Sequence, residues 1–516
     1  MTKPAYLFDL VEQMYAAPAN VVGWLRLSNA WQECNDQAAR AHVMQQLAAA
    51  AFNDHQAEVL RLTFLADYAR QQVYLEGALA HALAIEPPNA DQLVALATQG
   101  WVSALEVCAD HASFIASLLS MGFPAVLRQL TQMAENAVPA DFPRRQISRL
   151  ERVTVVVPCL GSQLHPPSVM AENQWRLLAQ LGLKIQLVSC QELQAPEPHM
   201  FRGGGSKFEF PPPDVNHWAA SLPQGSLLGL NDPHYRLQAR WADMFRHIAA
   251  FDPDVVLMVG LYSPLAAVLH ALRPVVGLNV FAFAPLAPLD VWLAPSADAK
   301  LETICWPETA LPVVHHHPFR IRGAAAAGRL SRNSFNLRRD ELVWLSSGGR
   351  LAHEISEEWA DMVNAILAGH PEIRWLLAGT ETVPERLRAA FPGQIRAVGV
   401  TEGLGDLIRM ADIYVNPPRV GGGFSVAEAM AAGLAVVSLA GGDGGDKVGE
   451  WAYTNLEQYR DGLVALCNSA AARRTMGAAL QQRFRQQLDV EAGGPSLLAA
   501  MHKAIAVAAP RLAVPQ

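Results

Sequence analysis

The chain lacks most of what would build a disulfide, zinc or nucleic-acid-binding protein. Its six cysteines (Cys34, Cys108, Cys159, Cys190, Cys305 and Cys467) are scattered over 516 residues with no C-x-x-C pair. That spacing excludes the common zinc motifs and gives no disulfide framework. Positive charge is not in excess: 40 basic against 48 acidic side chains leave a net charge of −8, which argues against nucleic acid as the main partner. The start, Met1-Thr2-Lys3-Pro4, leads into mixed polar sequence without an apolar signal core. The longest uncharged run, Val255 to Leu272, is divided by Ser263-Pro264 and reads as a buried strand plus a helix, not a membrane span. No G-x-S-x-G, H-E-x-x-H or P-loop pattern occurs. The expectation is a protein of the reducing cytoplasm with no transmembrane segment, long enough for two or three domains.

What is there changes character along the chain. Residues 1–135 are rich in Ala, Leu and Gln, with apolar residues at helical spacing, as in Val59-Leu60, Leu62 and Phe64-Leu65. They predict an all-helical domain over 1–150, with breaks at Ala17-Pro18, Pro87-Pro88 and Gly100. From Arg152 the period switches. Val153–Val157 reads as a buried parallel strand. A helix is expected over 168–181, a strand over 184–189, and a Gly/Pro-rich insertion over 191–230, including Gly203-Gly204-Gly205. Then follow a helix over 234–250 and strands at 255–259, 278–283 and 291–293. Such alternation predicts a doubly wound α/β domain over 151–320. Between Phe319 and Arg339 lie six arginines and no acid, either a solvated linker or an electropositive cleft edge. A second alternating set begins at Leu342, so 321–516 is expected to form another Rossmann-like domain with closing helices. Two facing domains of this type bind ligand at the carboxyl ends of their strands.

The most informative stretch runs from Asn416 to Gly433. It reads as strand, glycine loop (Gly421, Gly422, Gly423), short helix, strand. A glycine loop feeding a helix N-terminus offers bare backbone N–H groups and a positive dipole end to an anion. Ser425-Val426-Ala427-Glu428 admits two readings: a capping box, in which Ser425 caps the helix and Glu428 reaches back, or a carboxylate placed for ribose hydroxyls. Three preceding glycines favour the second, with Asn416 and Phe424 on the same loop. Gly433 is a helix C-terminal glycine. A second loop, Ser346-Ser347-Gly348-Gly349-Arg350, can approach a diphosphate and pair with it through Arg350. A third, Gly441 to Lys447, offers Lys447 to phosphate and Asp443 to a sugar hydroxyl; its aspartates lack calcium-loop spacing. On the acceptor side the candidates are His165, after the first strand, as a base; Asp232, alternatively a helix cap; and one of His315-His316-His317.

These motifs carry a resemblance. Met410 to Pro417, followed by Gly423 to Gly433, resembles the signature of the group-1/family-4 enzymes of the GT-B glycosyltransferases. The resemblance implies that Glu428 binds the donor ribose and Arg350 the diphosphate of a nucleotide-sugar, without a metal. Where that family carries a first glutamate and a lysine, this chain has Val420 and Ile355. A helical domain ahead of such a pair is similar to bacterial adhesin N-glucosyltransferases and O-GlcNAc transferases, which modify proteins. The run Arg273 to Pro285 with Asp290-Val291-Trp292 resembles their acceptor-side strand, with Ala284 at the position of their histidine. The resemblance implies transfer of a hexosyl or N-acetylhexosaminyl group from a UDP-sugar to a protein, docked on the helical domain. The alternatives are an inactive GT-B-like scaffold and a transferase acting on glycan or lipid.

Overall fold

The computed structural model describes residues 3–69, 71–162, 165–195, 213–296, 299, 301, 311–317, 320–323, 328–401 and 403–513. Gln163, Leu164, the Gly203-Gly204-Gly205 run, Cys305 and Phe319 lie outside them. Eight helices come first: α1 (Lys3–Ala16), α2 (Val21–Glu33), α3 (Gln37–Ala49), α4 (His55–Ala69), α5 (Gln72–Leu83), α6 (Ala90–Val107), α7 (His111–Ser120) and α8 (Phe123–Glu135). Several starts are marked by side-chain caps, with Asn20, Asp36, Asn89 and Asp110 each accepting a backbone N–H of the first turn. The expected break at Gly100 does not occur. Gly100 lies inside α6, where a Cβ would stand 3.3 Å from the Met121 sulfur. That glycine serves a close approach, not a helix end.

The first sheet is made of β1 (Arg152–Val156), β2 (Lys184–Ser189), β3 (Leu227–Leu230), β4 (Val255–Val259), β5 (Val275–Leu278), β6 (Val291–Ala294) and β7 (Val313–His316). Its order is β3-β2-β1-β4-β5-β6-β7, and every pairing is parallel. Between these strands run α9 (Pro166–Gln180), α10 (Val215–Ser221), α11 (Leu237–Phe251) and α12 (Pro264–His270). The second sheet, order β10-β9-β8-β11-β12, comprises β8 (Leu342–Ser347), β9 (Ile373–Ala378), β10 (Ile395–Gly399), β11 (Ile413–Val415) and β12 (Ala435–Val437). It carries α13 (Leu351–Glu354), α14 (Glu357–Gly369), α15 (Leu404–Met410), α16 (Gly423–Ala431) and α17 (Asp443–Val448). The chain closes with α18 (Leu456–Asn468), α19 (Ala470–Arg483) and α20 (Gly494–Ala508). This is an α/β structure of two tandem doubly wound domains behind an all-helical one, the GT-B arrangement.

Two corrections bear on the cleft. The strand expected over 278–283 ends at Leu278, the last residue to pair with β4. Phe281 and Phe283 stand instead in a loop, stacked on each other at 5.3 Å and packed on Phe114 of α7. The helical domain has drawn them off the sheet. Two short elements, α10 and β3, lie within what reads as an insertion. Their exposed or half-buried ends, such as Val215 and Leu227, hide the strand pattern.

The helical domain shares a hydrophobic core with one face of the first sheet. Val156, Val188, Val256 and Met258 pack with residues of α1–α8, while the alternate residues Val153, Val155, Val255 and Leu257 face the opposite core. That alternation follows from the pleat. Polar contacts cross the same seam: Asp91 of α6 accepts the Leu237 N–H at 2.9 Å and so caps α11. Asp232, expected as that cap, instead accepts the N–H of His234 in its own turn. At the far end α20 returns to the first sheet, where Arg511 beyond it forks onto Asp290 at 2.7 and 2.8 Å.

Candidate functional site

Three loops leave the carboxyl ends of β8, β11 and β12 and converge. One buried side chain knits two of them together. Arg419 donates to Asn416 Oδ1 at 2.9 and 3.1 Å, to the Ser347 carbonyl at 2.8 Å and to Glu354 Oε2 at 3.1 Å. Its guanidinium fills the space a side chain would take at two glycines. A Cβ on Gly422 would stand 2.5 Å from Arg419 nitrogens, and one on Gly348 would meet Arg419 Nη1. Gly422 also has φ +93°, which favours glycine on its own account. Arg419 carries no motif of its own in the sequence, standing between a proline and a valine. Its signal is in the glycines, which are bare because Arg419 takes their space.

Arg350 sits at the start of α13, one quarter exposed, with Nη2 2.8 Å from Glu354 Oε1. A Cβ on Gly421 would stand 2.9 Å from that same nitrogen, so Arg350 borders the glycine loop. Gly349 has more room: a Cβ there would come no nearer than 3.8 Å, to the Gly379 carbonyl oxygen. Glu354 is buried between the two guanidiniums. Burial pushes its carboxyl up, but the charges of Arg350 and Arg419 outweigh that and hold it below its ordinary value. Two guanidiniums thus share one carboxylate, which leaves one positive charge uncompensated at the cleft.

Helix α16 begins at Gly423, with Gly422 in the cap position. Ser425 is therefore inside the first turn and is not the cap, and no capping box forms with Glu428. The glycines start the helix three residues earlier than the S-x-x-E pattern suggests. Ser425 Oγ instead donates back to the Gly422 carbonyl at 3.2 Å and receives the Tyr414 hydroxyl at 2.8 Å. Phe424 packs on the core of the second domain, and Gly433 follows the helix at φ +78°. Glu428 is held differently from its neighbours. Among the described residues its carboxyl has no hydrogen-bond or ion partner, and burial alone pushes its pKa up to about 7.

Asp443 and Lys447 are turned toward each other. Lys447 Nζ lies 2.5 Å from Asp443 Oδ1, and Asp443 Oδ2 accepts the Gly423 N–H at 2.9 Å. A carboxylate of the chain thus occupies the first N–H of α16, and the lysine is buried beside it. Asn416 completes the floor, donating to Ser438 Oγ at 3.0 Å.

On the other side of the cleft, His165 is buried at the start of α9, with Nδ1 2.7 Å from Ser168 Oγ. Burial lowers its pKa to about 4, so the ring is neutral at pH 7. His315 and His317 both reach Ser496 Oγ at 3.1 Å, on α20 and away from the glycine loops. Three arginines of the basic stretch are spent on local partners: Arg332 on Asp412 at 2.9 Å, Arg322 on Glu491 at 3.2 Å and Arg320 on the Asp489 carbonyl at 2.9 Å. His111 of α7 also reaches this region, although no motif in the sequence marks it. Its N–H donates to the Gly441 carbonyl at 3.0 Å, and its ring packs on Phe283.

Paired parallel sheets with loops converging from their carboxyl ends are the architecture of GT-B glycosyltransferases. Residues 349–469 match the family model "Glycosyl transferases group 1", so that signature lies on the second domain, covers α16 and reaches all three loops. The fold is similar to that of a mutant of the Thermobaculum terrenum O-GlcNAc transferase, at a TM-score of 0.56 and 14% identity, over 98% of this chain and 99% of that one. A glycosyltransferase from Rickettsia africae aligns at a TM-score of 0.45 and 11% identity, over 69% of this chain and 99% of its own. MurG of Acinetobacter baumannii aligns at 0.41 and 15%, over 68% and 99%. No curated protein sequence matches the chain.

Proposed function

We propose that this protein is a glycosyltransferase that takes a UDP-sugar and passes its hexosyl or N-acetylhexosaminyl group to a protein acceptor in the cytoplasm. The observation that carries the reading is Glu428: a half-buried carboxyl without a protein partner among the described residues, one turn into the helix that starts at the glycine loop. Such a carboxyl is partly desolvated yet open to a ligand, and a pair of ribose hydroxyls would supply the hydrogen bonds it lacks. The net positive charge of the Arg350–Glu354–Arg419 cluster then offsets the charge that grows on the leaving diphosphate. Side chains supply this charge, and the reaction is proposed to be metal-independent. Among the described residues no three His, Cys, Asp or Glu side chains are grouped to hold an ion. The match to group 1 glycosyltransferases supports the reaction class. The likeness to the fold of an O-GlcNAc transferase, which spans the helical domain as well, supports the protein acceptor. No single helix of the described residues is long and apolar enough to cross a membrane.

Calorimetry with UDP-glucose, UDP-N-acetylglucosamine and GDP-mannose tests the donor. Wild type should bind a UDP-sugar and Glu428→Ala should bind it at least tenfold more weakly; equal binding removes Glu428 from the donor site. Labelled sugar should then appear in the protein fraction of cell extract, and label confined to lipid or glycan would move the acceptor to those classes. A scaffold without activity is the rival. It draws on the mutual neutralisation of Asp443 and Lys447, and any turnover of donor rules it out.

A further inference from the structure

The helical domain does more than pack against the transferase frame: α7 reaches into the cleft. His111, its first residue, stands between a loop from each sheet. Its backbone donates to the Gly441 carbonyl after β12, and its ring lies edge-on to Phe281 and Phe283 after β5, at 6.2 and 5.4 Å. Both loops leave the carboxyl ends of their strands, where ligands of such sheets bind. His111 Nδ1 is 3.6 Å from Asp446 Oδ2. Two atoms in this arrangement are buried without a hydrogen bond among the described residues: His111 Nε2 and Asp446 Oδ2.

Resting on the transferase reading above, we propose that His111 is the catalytic base that takes the acceptor's proton, and that Asp446 is the residue that positions it. A small closure of the 441–446 loop brings Nδ1–H onto the Asp446 carboxylate; catalytic hydrogen bonds are often long before substrate binds. That contact fixes the tautomer and leaves Nε2 with a lone pair and no protein partner among the described residues. In the transfer step the acceptor O–H or N–H attacks the anomeric carbon, the bond from that carbon to the diphosphate oxygen breaks, and the acceptor's proton passes to Nε2. The nucleoside diphosphate leaves with the electron pair, and Asp446 offsets the imidazolium charge. The charged groups facing His111 are Asp446, Asp443, Lys447 and Asp110. Burial keeps the imidazole below its ordinary value, with Asp446 and Asp443 pulling the other way, so the ring is free to accept a proton at neutral pH.

The test uses the full-length protein, UDP-glucose and UDP-N-acetylglucosamine as donors, and two small acceptors. Water must lose a proton when it attacks; azide carries none. In H111N, release of UDP by hydrolysis should fall about 100-fold, the usual contribution of a general base. Azide-dependent release should stay within about twofold of wild type, and UDP affinity should not change. In D446N hydrolysis should fall less, with the acidic limb of its pH profile moved to lower pH, because the imidazole has lost a negative neighbour. Unchanged hydrolysis in H111N overturns the proposal. So does a parallel loss of water and azide reactions, which would mean a structural role. Should H111N not fold, H111Q and the D446N pH profile decide the matter. A wild type that binds UDP but consumes donor with neither acceptor also refutes the base. Absence of UDP binding refutes the transferase reading itself.

Discussion

On its proposed role, Glu428 ties the donor's affinity to pH, and the size of the effect follows from its surroundings. Burial moves its carboxyl from an ordinary 4.5 to about 7. Ribose hydroxyls donate to the ionised form, so binding draws on that fraction alone. With a pKa near 7, about one carboxyl in eleven is ionised at pH 6 and about ten in eleven at pH 8. Affinity for a UDP-sugar should therefore improve about tenfold between these values, and binding should release close to one proton at pH 6. The donor's diphosphate is esterified at both ends and does not titrate in this range, which makes UDP-glucose a cleaner probe than UDP. Calorimetry in buffers of different ionisation enthalpy measures both quantities. In E428Q the slope should vanish. Stability moves the opposite way. A folded pKa above the unfolded one means the contribution is fully present below pH 4.5 and lost as pH rises through 7, a swing of about 3 kcal/mol as an upper limit. A pH-independent affinity in wild type, or the same slope in E428Q, would refute the reasoning.

Other consequences are more local. Replacing Arg419 by Met should cost about 3–5 kcal/mol, because Glu354 keeps only Arg350 and the Asn416 oxygen loses its donor; a thermal midpoint within two degrees or so of wild type would contradict this. Gly422→Ala forces an L residue to a φ of +93° and a Cβ to 2.5 Å from Arg419, so UDP binding and stability should fall together, read by calorimetry and melting. Acid should unfold the first domain early. His165 and His317 are held by burial at pKa values of about 4 and about 3, so the stability they contribute is full above pH 6.5 and is lost as pH falls; His165→Gln should flatten the melting-temperature profile between pH 6.5 and 4. Deleting residues 1–135 should give insoluble protein, since Val156, Val188 and Met258 would lose their cover; a soluble, monomeric fragment would show the two cores to be separable.

How much of this was legible in the sequence depends on whether the cause was local. The strand β4 matches the expected 255–259 at both ends because it is a short apolar run between turn residues, buried in a parallel sheet. The glycine loop was legible because glycine is the one residue whose absence of side chain is itself a message. Phe281 and Phe283 misled because β-propensity cannot register that α7, some 170 residues earlier, offers them a better apolar surface than the sheet does. Arg419 and His111 were invisible for the same reason. Their roles are set by partners distant in sequence, Glu354 in one case and Asp446 in the other.

The departures at Val420 and Ile355 have the same origin. Val420 is fully buried and belongs to the core that includes α1–α8, while its carbonyl accepts the Asp443 N–H at 2.8 Å. A glutamate at that position, as in the group-1 signature, would place a carboxylate in an apolar seam at a cost of several kcal/mol. Ile355 is likewise enclosed, in the core of the second domain, where a lysine could not reach the cleft without leaving it. The loss at Val420 is thus what packing requires once a helical domain seats itself on the loops, and the loss at Ile355 follows from the second domain's own core. Beside those positions two guanidiniums, Arg350 and Arg419, flank the single Glu354 carboxylate. Val420→Glu should therefore not restore a better transferase; it should loosen α7 from the 441–446 loop and lower the melting temperature before it changes donor affinity.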